Sequence, residues 1–182
     1  MDNGASSYHR FLEGDESGFD EILDLYQHNL IFFINRYVNN LTVAEDLAED
    51  TFLELLIHKN RYNFQTSLKT YLFAIGRHKA LDYIRHNSRF PTISLDEAAE
   101  KSNEFISVEA KLLSDERKRL VNAAINRLNS DYRAAIHLVY FEELSYEDAA
   151  KVMKKSKKQV ENLIYRAKAS LRSLLGKEGF EL

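Results

Sequence analysis

The stretch that decides the fold is residues 144–175, which read LSYEDAAKVMKKSKKQVENLIYRAKASLRSLL. Ser145 can cap a short helix of about eight residues, and the pattern then breaks at Lys154. Ser156 can cap a second, longer helix, because Gln159 stands three positions later and completes a capping box. A short helix, a tight turn and a longer helix form a helix-turn-helix. The pattern alone leaves two interpretations open, a DNA-binding unit and a plain amphipathic hairpin of helices.

The second helix of this motif has a polar face that suits DNA. A recognition helix points its N-terminal end into the major groove, where its amides and its dipole favour a phosphate. Gln159 and Asn162 can each pair bidentately with adenine. Lys158 and Arg166 can each read guanine. We therefore predict a DNA-contacting set on this helix, which comprises Ser156, Lys157, Lys158, Gln159, Asn162 and Arg166.

The segments before this motif predict further helices. Apolar residues recur at helical spacing through residues 8–39. Thr42 and Glu45 can form a capping box at the start of the next helix, which combines an apolar stripe with an acidic face. Ser67 can cap a later helix that runs to about Asn87. These segments predict a first module of about four helices.

Residues 89–110 differ from the regions on either side. They contain the only proline, several serines and five acidic residues, and the apolar periodicity fades there. We therefore predict an all-α protein of two small helical domains, residues 1–88 and 111–182, joined by this flexible acidic linker. The helix-turn-helix lies in the second domain, where Ser130 or Asp131 can cap the helix that precedes it.

The composition excludes several classes of protein. One proline and six glycines among 182 residues are too few turn residues for an all-β protein. The absence of cysteine excludes a disulfide scaffold and a cysteine-based zinc site. The sequence shows neither a secretory signal pattern nor an apolar run near the roughly 20 residues that cross a bilayer. We expect a soluble, cytoplasmic protein without membrane insertion.

Motifs that carry catalytic chemistry are missing from the sequence. We find no glycine-rich phosphate loop, nucleophile elbow or metal-ligand cluster, so we expect no enzymatic activity and no cofactor. His78, Asp82 and His86 stand at four-residue intervals on one helix face, which is a possible metal geometry. No other part of the sequence supports a metal there, and we predict no metal site.

Charge is unevenly distributed along the chain, although the net charge is only −3. Residues 59–90 contain seven basic and one acidic side chain, and residues 151–182 contain nine basic and three acidic ones. Residues 1–58, in contrast, contain two basic and twelve acidic side chains. The two basic blocks predict two separate contacts with a polyanion. The alternative is that each block is an ordinary solvated helix face.

Three segments occur in an order and spacing that resemble a known family. They read AEDLAEDTFLELL at residues 44–56, SLKTYLFAIGRHKALDYIR at residues 67–85, and LSYEDAAKVM at residues 144–153 before the basic helix. Together they resemble the bacterial sigma factors, in particular the small extracytoplasmic-function group, over about residues 8–175. The resemblance implies that the two domains are a sigma2 and a sigma4 domain. It also implies binding to core RNA polymerase and promoter DNA, with an anti-sigma protein as the usual partner.

The resemblance assigns the minus-10 promoter element to the first basic block. In the family, the loop that corresponds to residues 61–67 captures a flipped base of the non-template strand. Stacking at about 1–3 kcal/mol per base can offset the cost of unstacking. We expect Phe64 in the core. The predicted minus-10 residues are Tyr62, Asn63 and Gln65 on a pocket rim, Lys69 on the DNA backbone, and Arg77, His78, Lys79 and Arg85 along the upstream duplex.

The resemblance also assigns roles to the second basic block and to the acidic helix. The set on the second helix of the helix-turn-helix would contact the minus-35 element. Lys154 and Glu143 stand where many family members have glycine, and Lys155 and Glu161 are also unusual, so the minus-35 sequence stays open. The linker would follow the RNA-exit path. The acidic residues predicted to dock on the clamp of the largest polymerase subunit are Glu45, Asp46, Glu49 and Asp50.

Promoter-directed initiation of transcription, including promoter melting, is the function that the resemblance implies. One alternative is a free-standing helix-turn-helix transcriptional regulator, which would bind duplex DNA without polymerase. Another is a helical adaptor that binds polymerase but not promoters. The first alternative leaves the acidic helix and the helix that begins at Ser67 without a role.

Overall fold

The computed structural model describes residues 3–89 and 116–177, and all regular structure in these two ranges is helical. The all-α prediction is therefore confirmed. The predicted linker lies almost wholly outside the described residues. The eight α-helices within these two ranges are α1 (Asn3–Leu12), α2 (Ser17–Val38), α3 (Leu41–Ile57), α4 (Leu68–Arg89), α5 (Glu116–Asn126), α6 (Ser130–Ile136), α7 (Tyr146–Met153) and α8 (Lys157–Lys177). A short 3₁₀ turn at Lys59–Arg61 precedes α4, and a π turn at His137–Phe141 follows α6.

Helices α1 to α4 form the N-terminal module, with α2 at its centre. Helix α2 contacts α1, α3 and α4, and its side chains Leu30 and Phe33 are fully buried. Gly76 lets α4 approach α2 closely, because a Cβ atom at this position would lie 2.8 Å from Cδ1 of Leu30. The apolar periodicity of the sequence therefore produces one bundle core, as the 3.6-residue repeat predicts.

Local hydrogen bonds explain where α3 and α4 begin. Asn40, not Thr42, caps α3, since the backbone N–H of Val43 donates to Asn40 Oδ1 at 3.2 Å. The Thr42 prediction is wrong because the turn after α2 is so short that Thr42 already lies inside α3. Ser67 caps α4 as predicted, and its Oγ accepts from the N–H of Thr70 at 3.0 Å.

Helices α5 to α8 form the C-terminal module, which has its own buried apolar side chains. Asn129 caps α6, because its Oδ1 accepts from the N–H of Tyr132 at 2.9 Å. The prediction of Ser130 or Asp131 as the cap placed this helix start one or two residues too late. Leu138 and Val160 are among the side chains that fill this core.

The two modules pack against each other in the structure. Helix α4 contacts α7, and α2 contacts α6. The ring of Phe33 on α2 lies 5.7 Å from the ring of His137, which begins the π turn. None of the helices in residues 3–89 and 116–177 is long and apolar enough to cross a membrane.

Candidate nucleic-acid interface

Helices α7 and α8 form the helix-turn-helix, and their caps are those that the sequence predicts. The N–H of Asp148 donates to Ser145 Oγ at 3.0 Å, which starts α7. At α8, the N–H of Gln159 donates to Ser156 Oγ at 3.2 Å, and the N–H of Ser156 donates to Gln159 Oε1 at 2.7 Å. This reciprocal pair is a complete capping box.

The turn between α7 and α8 has a left-handed residue at its centre. Lys154 has φ 50° and ψ 47°, and the N–H of Lys155 donates to the carbonyl of Ala150 at 3.0 Å. A side chain in this region costs about 1–2 kcal/mol relative to the right-handed conformation. The Nζ atom of Lys155 lies 3.2 Å from Asp131 Oδ2, so an ion pair holds the turn against α6. Glu143, before α7, is also left-handed, with φ 55°.

Helix α8 buries one face and exposes another. Val160, Ile164 and Ala167 are buried on the inner face. The outer face exposes Ser156, Lys157, Lys158, Gln159, Asn162, Tyr165 and Arg166. Five of the six predicted residues thus lie in the N-terminal half of α8, and Ser156 caps it. Tyr165, which is 77% exposed and was not in the predicted set, lies beside them.

Two of the predicted residues on α8 already have partners within the helix-turn-helix. The amide oxygen of Gln159 accepts a hydrogen bond in the capping box. While this box is intact, the NH₂ group of Gln159 is the part that remains available to DNA. Lys157 Nζ pairs with Glu147 Oε1 on α7, and this pair lowers the pKa of Glu147 and raises that of Lys157. Asn162, Lys158 and Arg166 are exposed along the same face.

The loop before α4 differs from its prediction at two aromatic residues. Tyr62, predicted on a pocket rim, is only 4% exposed, and its hydroxyl donates to the carbonyl of Thr66 at 2.6 Å. Phe64, expected in the core, is 40% exposed and has φ 61°. The two positions exchange places because Tyr62 packs edge-on against Tyr8 of α1 at 5.5 Å and fills the space beneath the loop. Phe64 then covers Tyr62 from outside, at 4.7 Å between ring centroids.

The other two residues predicted on the pocket rim are at the surface. Asn63 and Gln65 are exposed, and the N–H of Gln65 donates to Asn63 Oδ1 at 3.1 Å. Beneath them, the hydroxyl of Tyr8 donates to the carbonyl of Lys59 at 2.8 Å, and burial raises the pKa of Tyr8 to about 12. Tyr8 therefore supports the loop from a helix that is about 50 residues away in the sequence.

The cationic residues predicted on α4 all have intramolecular partners in the structure. Lys69 pairs with Glu142 at 2.7 Å, and Lys79 pairs with Glu54 at 3.2 Å. Nε of Arg77 donates to the hydroxyl of Tyr37 at 3.1 Å, where burial raises the pKa of Tyr37 to about 12. The more exposed His78 and Arg85 share one partner, Asp82, and Nδ1 of His78 lies 2.8 Å from an oxygen of this carboxylate. Each of the predicted DNA-binding residues on α4 is therefore held by a partner within the chain.

The metal geometry considered for this helix is not assembled. His78 contacts Asp82 directly, and an ion between them would have to replace that contact. Among the residues in 3–89 and 116–177, no group of three or more histidine, aspartate or glutamate side chains is arranged to hold a metal ion.

The four acidic residues predicted to dock on polymerase lie together on α3. Glu45, Asp46, Glu49 and Asp50 are all exposed, opposite the buried stripe of the same helix. Leu53 and Ile57 continue this face toward the end of α3 and are 51% and 70% exposed. An exposed leucine and isoleucine beside four carboxylates form a mixed acidic and apolar surface. Neither residue belongs to the apolar stripe of α3 in the sequence. Apolar residues that lie off this stripe were the signal from which the surface could have been predicted.

Comparison with known proteins assigns both modules to one kind of protein. The family model described as Sigma-70 region 2 matches residues 22–90, and the one described as Sigma-70, region 4 matches residues 118–171. The chain is 28% identical over 155 residues to the ECF RNA polymerase sigma factor SigM of Bacillus subtilis, which covers 85% of this chain and 93% of that protein. It is 30% identical over 171 residues to the RNA polymerase sigma-H factor of Pseudomonas aeruginosa, with 89% and 88% covered.

Solved structures support the same fold. The sigma factor RpoE in complex with the anti-sigma factor NepR from Bartonella quintana matches with a TM-score of 0.68 and 22% identity, over 87% of this chain and 96% of that chain. CnrH in complex with the cytosolic domain of CnrY matches with a TM-score of 0.64 and 22% identity, over 96% of each chain. At this level of identity the structural likeness concerns the fold.

Proposed function

Since the chain belongs to the extracytoplasmic-function group of bacterial sigma factors, we propose that it binds core RNA polymerase and directs it to promoters. In this proposal the chain recognises minus-10 and minus-35 elements and promotes melting of the duplex. The observation that carries the proposal is the presence of two cationic helices, α4 and α8, with one in each module of the family fold. Two cationic helices suit two separate contacts with one DNA molecule.

The minus-35 element would be bound by the exposed N-terminal part of α8. The N-terminal end of this helix would enter the major groove, as the second helix of a helix-turn-helix does. Lys157 and Lys158 would neutralise phosphates, while Asn162 and Arg166 would read base edges. The capping box of Gln159 would have to open before both ends of its amide could pair with an adenine.

The minus-10 element would be bound by α4 and by the loop before it. Asn63 and Gln65 would contact a flipped base of the non-template strand, and Phe64 offers an exposed aromatic ring on which a base can stack. A protein that hydrolyses no nucleotide can melt DNA only by binding the unpaired form more tightly than the paired form. Stacking on Phe64, worth about 1–3 kcal/mol per base, contributes to that difference.

The acidic and apolar surface of α3 would dock on polymerase. Leu53 and Ile57 would supply buried apolar area, while the four carboxylates would pair with cations on the clamp of the largest subunit. We further propose that an anti-sigma protein controls the chain, because one solved structure of the same fold is a complex of a sigma factor with an anti-sigma factor.

Purified transcription tests the function directly. Core polymerase with this chain should give start-site-specific transcripts from promoters of the source genome, and either component alone should give none. Arg166→Ala should reduce these transcripts about 5-fold or more, since a bidentate base contact contributes about 1–3 kcal/mol. Arg172→Ala, at an exposed position two turns from the predicted base-reading end, is the matched control and should leave the transcripts unchanged. An absence of specific transcripts at saturating chain would contradict the proposal.

A free-standing regulator is the second candidate, because α7 and α8 form a complete helix-turn-helix on their own module. It predicts tight, sequence-specific binding to duplex DNA in the absence of polymerase. Footprinting with the chain alone and with the holoenzyme separates the two functions. Protection that requires polymerase supports the sigma function, and equal protection without it supports the regulator.

A further inference from the structure

Helix α1 contains none of the residues assigned to DNA or to polymerase, yet it lies under the loop that carries Phe64. Tyr8 of α1 is fully buried. Its hydroxyl donates to the carbonyl of Lys59 at 2.8 Å and approaches the carbonyl of Leu55 at 3.4 Å. The first of these carbonyls belongs to the 3₁₀ turn and the second to the last turn of α3. One side chain of α1 therefore fixes the point at which the loop leaves α3.

A second buried tyrosine fixes the other end of the loop. The hydroxyl of Tyr62 donates to the carbonyl of Thr66, directly before Ser67 caps α4. The rings of Tyr62 and Tyr8 pack edge to face, with 5.5 Å between their centroids. Two buried hydroxyls thus hold backbone carbonyls on either side of Phe64, and the ring of one supports the ring of the other.

Phe64 needs this support because its backbone is left-handed. A φ of 61° is unfavourable for a bulky residue and persists only where the surrounding structure holds it. The ring centroid of Tyr62 lies 4.7 Å from that of Phe64, and the centroids of Tyr8 and His9 each lie 6.2 Å from it. Two of these three neighbouring rings belong to α1. Contacts with α1 therefore help to set the position of a ring that is still 40% exposed and open to a base.

We propose that α1 belongs to the minus-10 site, with Tyr8 as a positioning residue that holds Phe64 where a flipped base can stack on it. This inference rests on the proposed function, since that function assigns the loop to the melted strand. Tyr8 itself does not contact the DNA. Its hydroxyl orders the loop before the base arrives, so binding does not have to order it. Without the hydroxyl, the apparent affinity for a flipped base falls with the fraction of loops in the competent conformation.

The first test measures how much one base contributes to binding. The probes are fluorescent single strands with the minus-10 non-template sequence of a promoter that the holoenzyme transcribes. One strand is intact, and the other is abasic at the position where loss of the base weakens binding most. The ratio of the two affinities reports base capture and is independent of the folded fraction, because unfolded protein lowers both affinities alike. Wild type should prefer the intact strand by about 10-fold, and Phe64→Ala should reduce this preference to within about 2-fold.

Tyr8→Phe is the decisive variant, because it keeps the buried ring and removes only the hydroxyl. It should reduce the preference for the intact strand to about 3-fold or less, since the net contribution of one hydrogen bond corresponds to a factor of about 2 to 10. Its affinity for the abasic strand should stay unchanged. Tyr132→Phe makes the same change on α6 of the other module and should keep the preference of wild type. A wild-type preference in Tyr8→Phe, or an equal loss on both strands, would overturn the proposal.

Hydrogen exchange measures the order of the loop without DNA. The amide of Arg61 donates to the carbonyl of His58 at 2.9 Å, and that of Gln65 donates to Asn63 Oδ1 at 3.1 Å. Both amides should be protected in wild type and exchange about 3- to 10-fold faster in Tyr8→Phe, while the amides of α8 stay unchanged. Unprotected loop amides in wild type would overturn the proposal even if the variant does not fold. Equal loop exchange in the two proteins would overturn it as well.

Transcription with the same proteins separates this inference from the proposed function. Tyr8→Phe should bind core polymerase as wild type does, because the exposed face of α3 is unchanged, but should give about 3-fold fewer transcripts. Specific transcripts from wild type, together with an unaltered base preference in Tyr8→Phe, leave the sigma function standing and reject the role of Tyr8. An absence of specific transcripts from wild type rejects the sigma function itself.

Discussion

The left-handed turn at Lys154 stores strain in the middle of the helix-turn-helix. Its φ of 50° and that of Glu143, 55°, occur at two positions where the sequence raised the question of a glycine conformation. The resemblance drew attention to these positions, because many members of the family have glycine there. It does not show the cost, which depends on the dihedral angles themselves.

Lys154→Gly should stabilise the protein. Glycine relieves about 1–2 kcal/mol of left-handed strain but loses about 0.4–1 kcal/mol through the entropy of the unfolded chain. The free energy of unfolding in urea should therefore rise by about 0.5–1 kcal/mol. Lys151→Gly, inside α7, is the control and should lower it by about 1 kcal/mol. A loss of stability in Lys154→Gly would show that its side chain contributes more than its backbone costs.

The two aromatic residues of the loop before α4 should separate stability from DNA binding. Tyr62→Ala should lower the free energy of unfolding by about 3 kcal/mol, because it removes a buried ring. Phe64→Ala should change stability by less than about 1 kcal/mol but weaken binding of a melted minus-10 strand by about 1–3 kcal/mol. Urea unfolding and oligonucleotide binding measure the two effects. If Tyr62→Ala weakened strand binding and Phe64→Ala lowered stability instead, Tyr62 would belong to the DNA-binding site after all.

At the scale of whole elements, local patterns predicted the helices well and their caps unevenly. Ser67, Ser145 and Ser156 are caps because each precedes an apolar periodic run and bonds to an amide three residues on. The prediction of Thr42 was wrong because Asn40 accepts from the N–H of Val43, so α3 begins two residues earlier than the sequence pattern indicated. The exchange of Tyr62 and Phe64 depends on Tyr8 of α1, a contact that no local pattern contains.

The acidic face of α3 should be needed for polymerase binding and not for folding. Asp50→Lys should weaken binding to core polymerase by about 10-fold or more, since charge reversal at an interface is unfavourable while α3 stays folded. Glu16→Lys, at an exposed position before α2, makes the same change of charge and serves as the control. Native gels with core polymerase provide the measurement. Equal losses in both variants would indicate a general effect of charge.

The arrangement of the whole molecule lay beyond the sequence. Asn29 and Glu142 are 113 positions apart, and neither belongs to an apolar repeat or a motif. Their contact depends on burial of Glu142 beside Lys69 and His137, which only the three-dimensional packing creates. The sequence could therefore predict the helices and many of their exposed side chains, but not that the C-terminal helices would pack on the N-terminal ones.

This interface should make stability sensitive to mild acid. Burial lowers the pKa of His137 below its ordinary 6.5 despite the nearby Glu142, with Arg36 and Lys69 acting in the same direction as burial. The unfolded chain then binds a proton below about pH 6.5 that the folded chain does not, so stability falls as the pH falls through this value. The contribution of Glu142, whose pKa is lowered, disappears only at lower pH.

His137→Gln isolates this effect. Between pH 7.5 and 5.5, the free energy of unfolding of wild type should fall more steeply than that of the variant, by up to about 1.4 kcal/mol per pH unit below pH 6.5. The remaining histidines are the same in both proteins, so they cancel in the comparison. Urea titrations at three pH values give the slopes. Parallel slopes would mean that folding does not lower the pKa of His137.

The close crossing of α2 and α4 at Gly76 carries an evolutionary consequence. Any larger side chain there must displace the fully buried Leu30 and Ile34 or push the two helices apart. Arg77 follows directly in the chain and would move with the backbone. In the proposed minus-10 contact, a substitution at an exposed position of α4 would change the preference at one part of the promoter. A substitution at Gly76 would instead shift the whole helix and alter every such preference at once, although Gly76 itself would not contact the DNA.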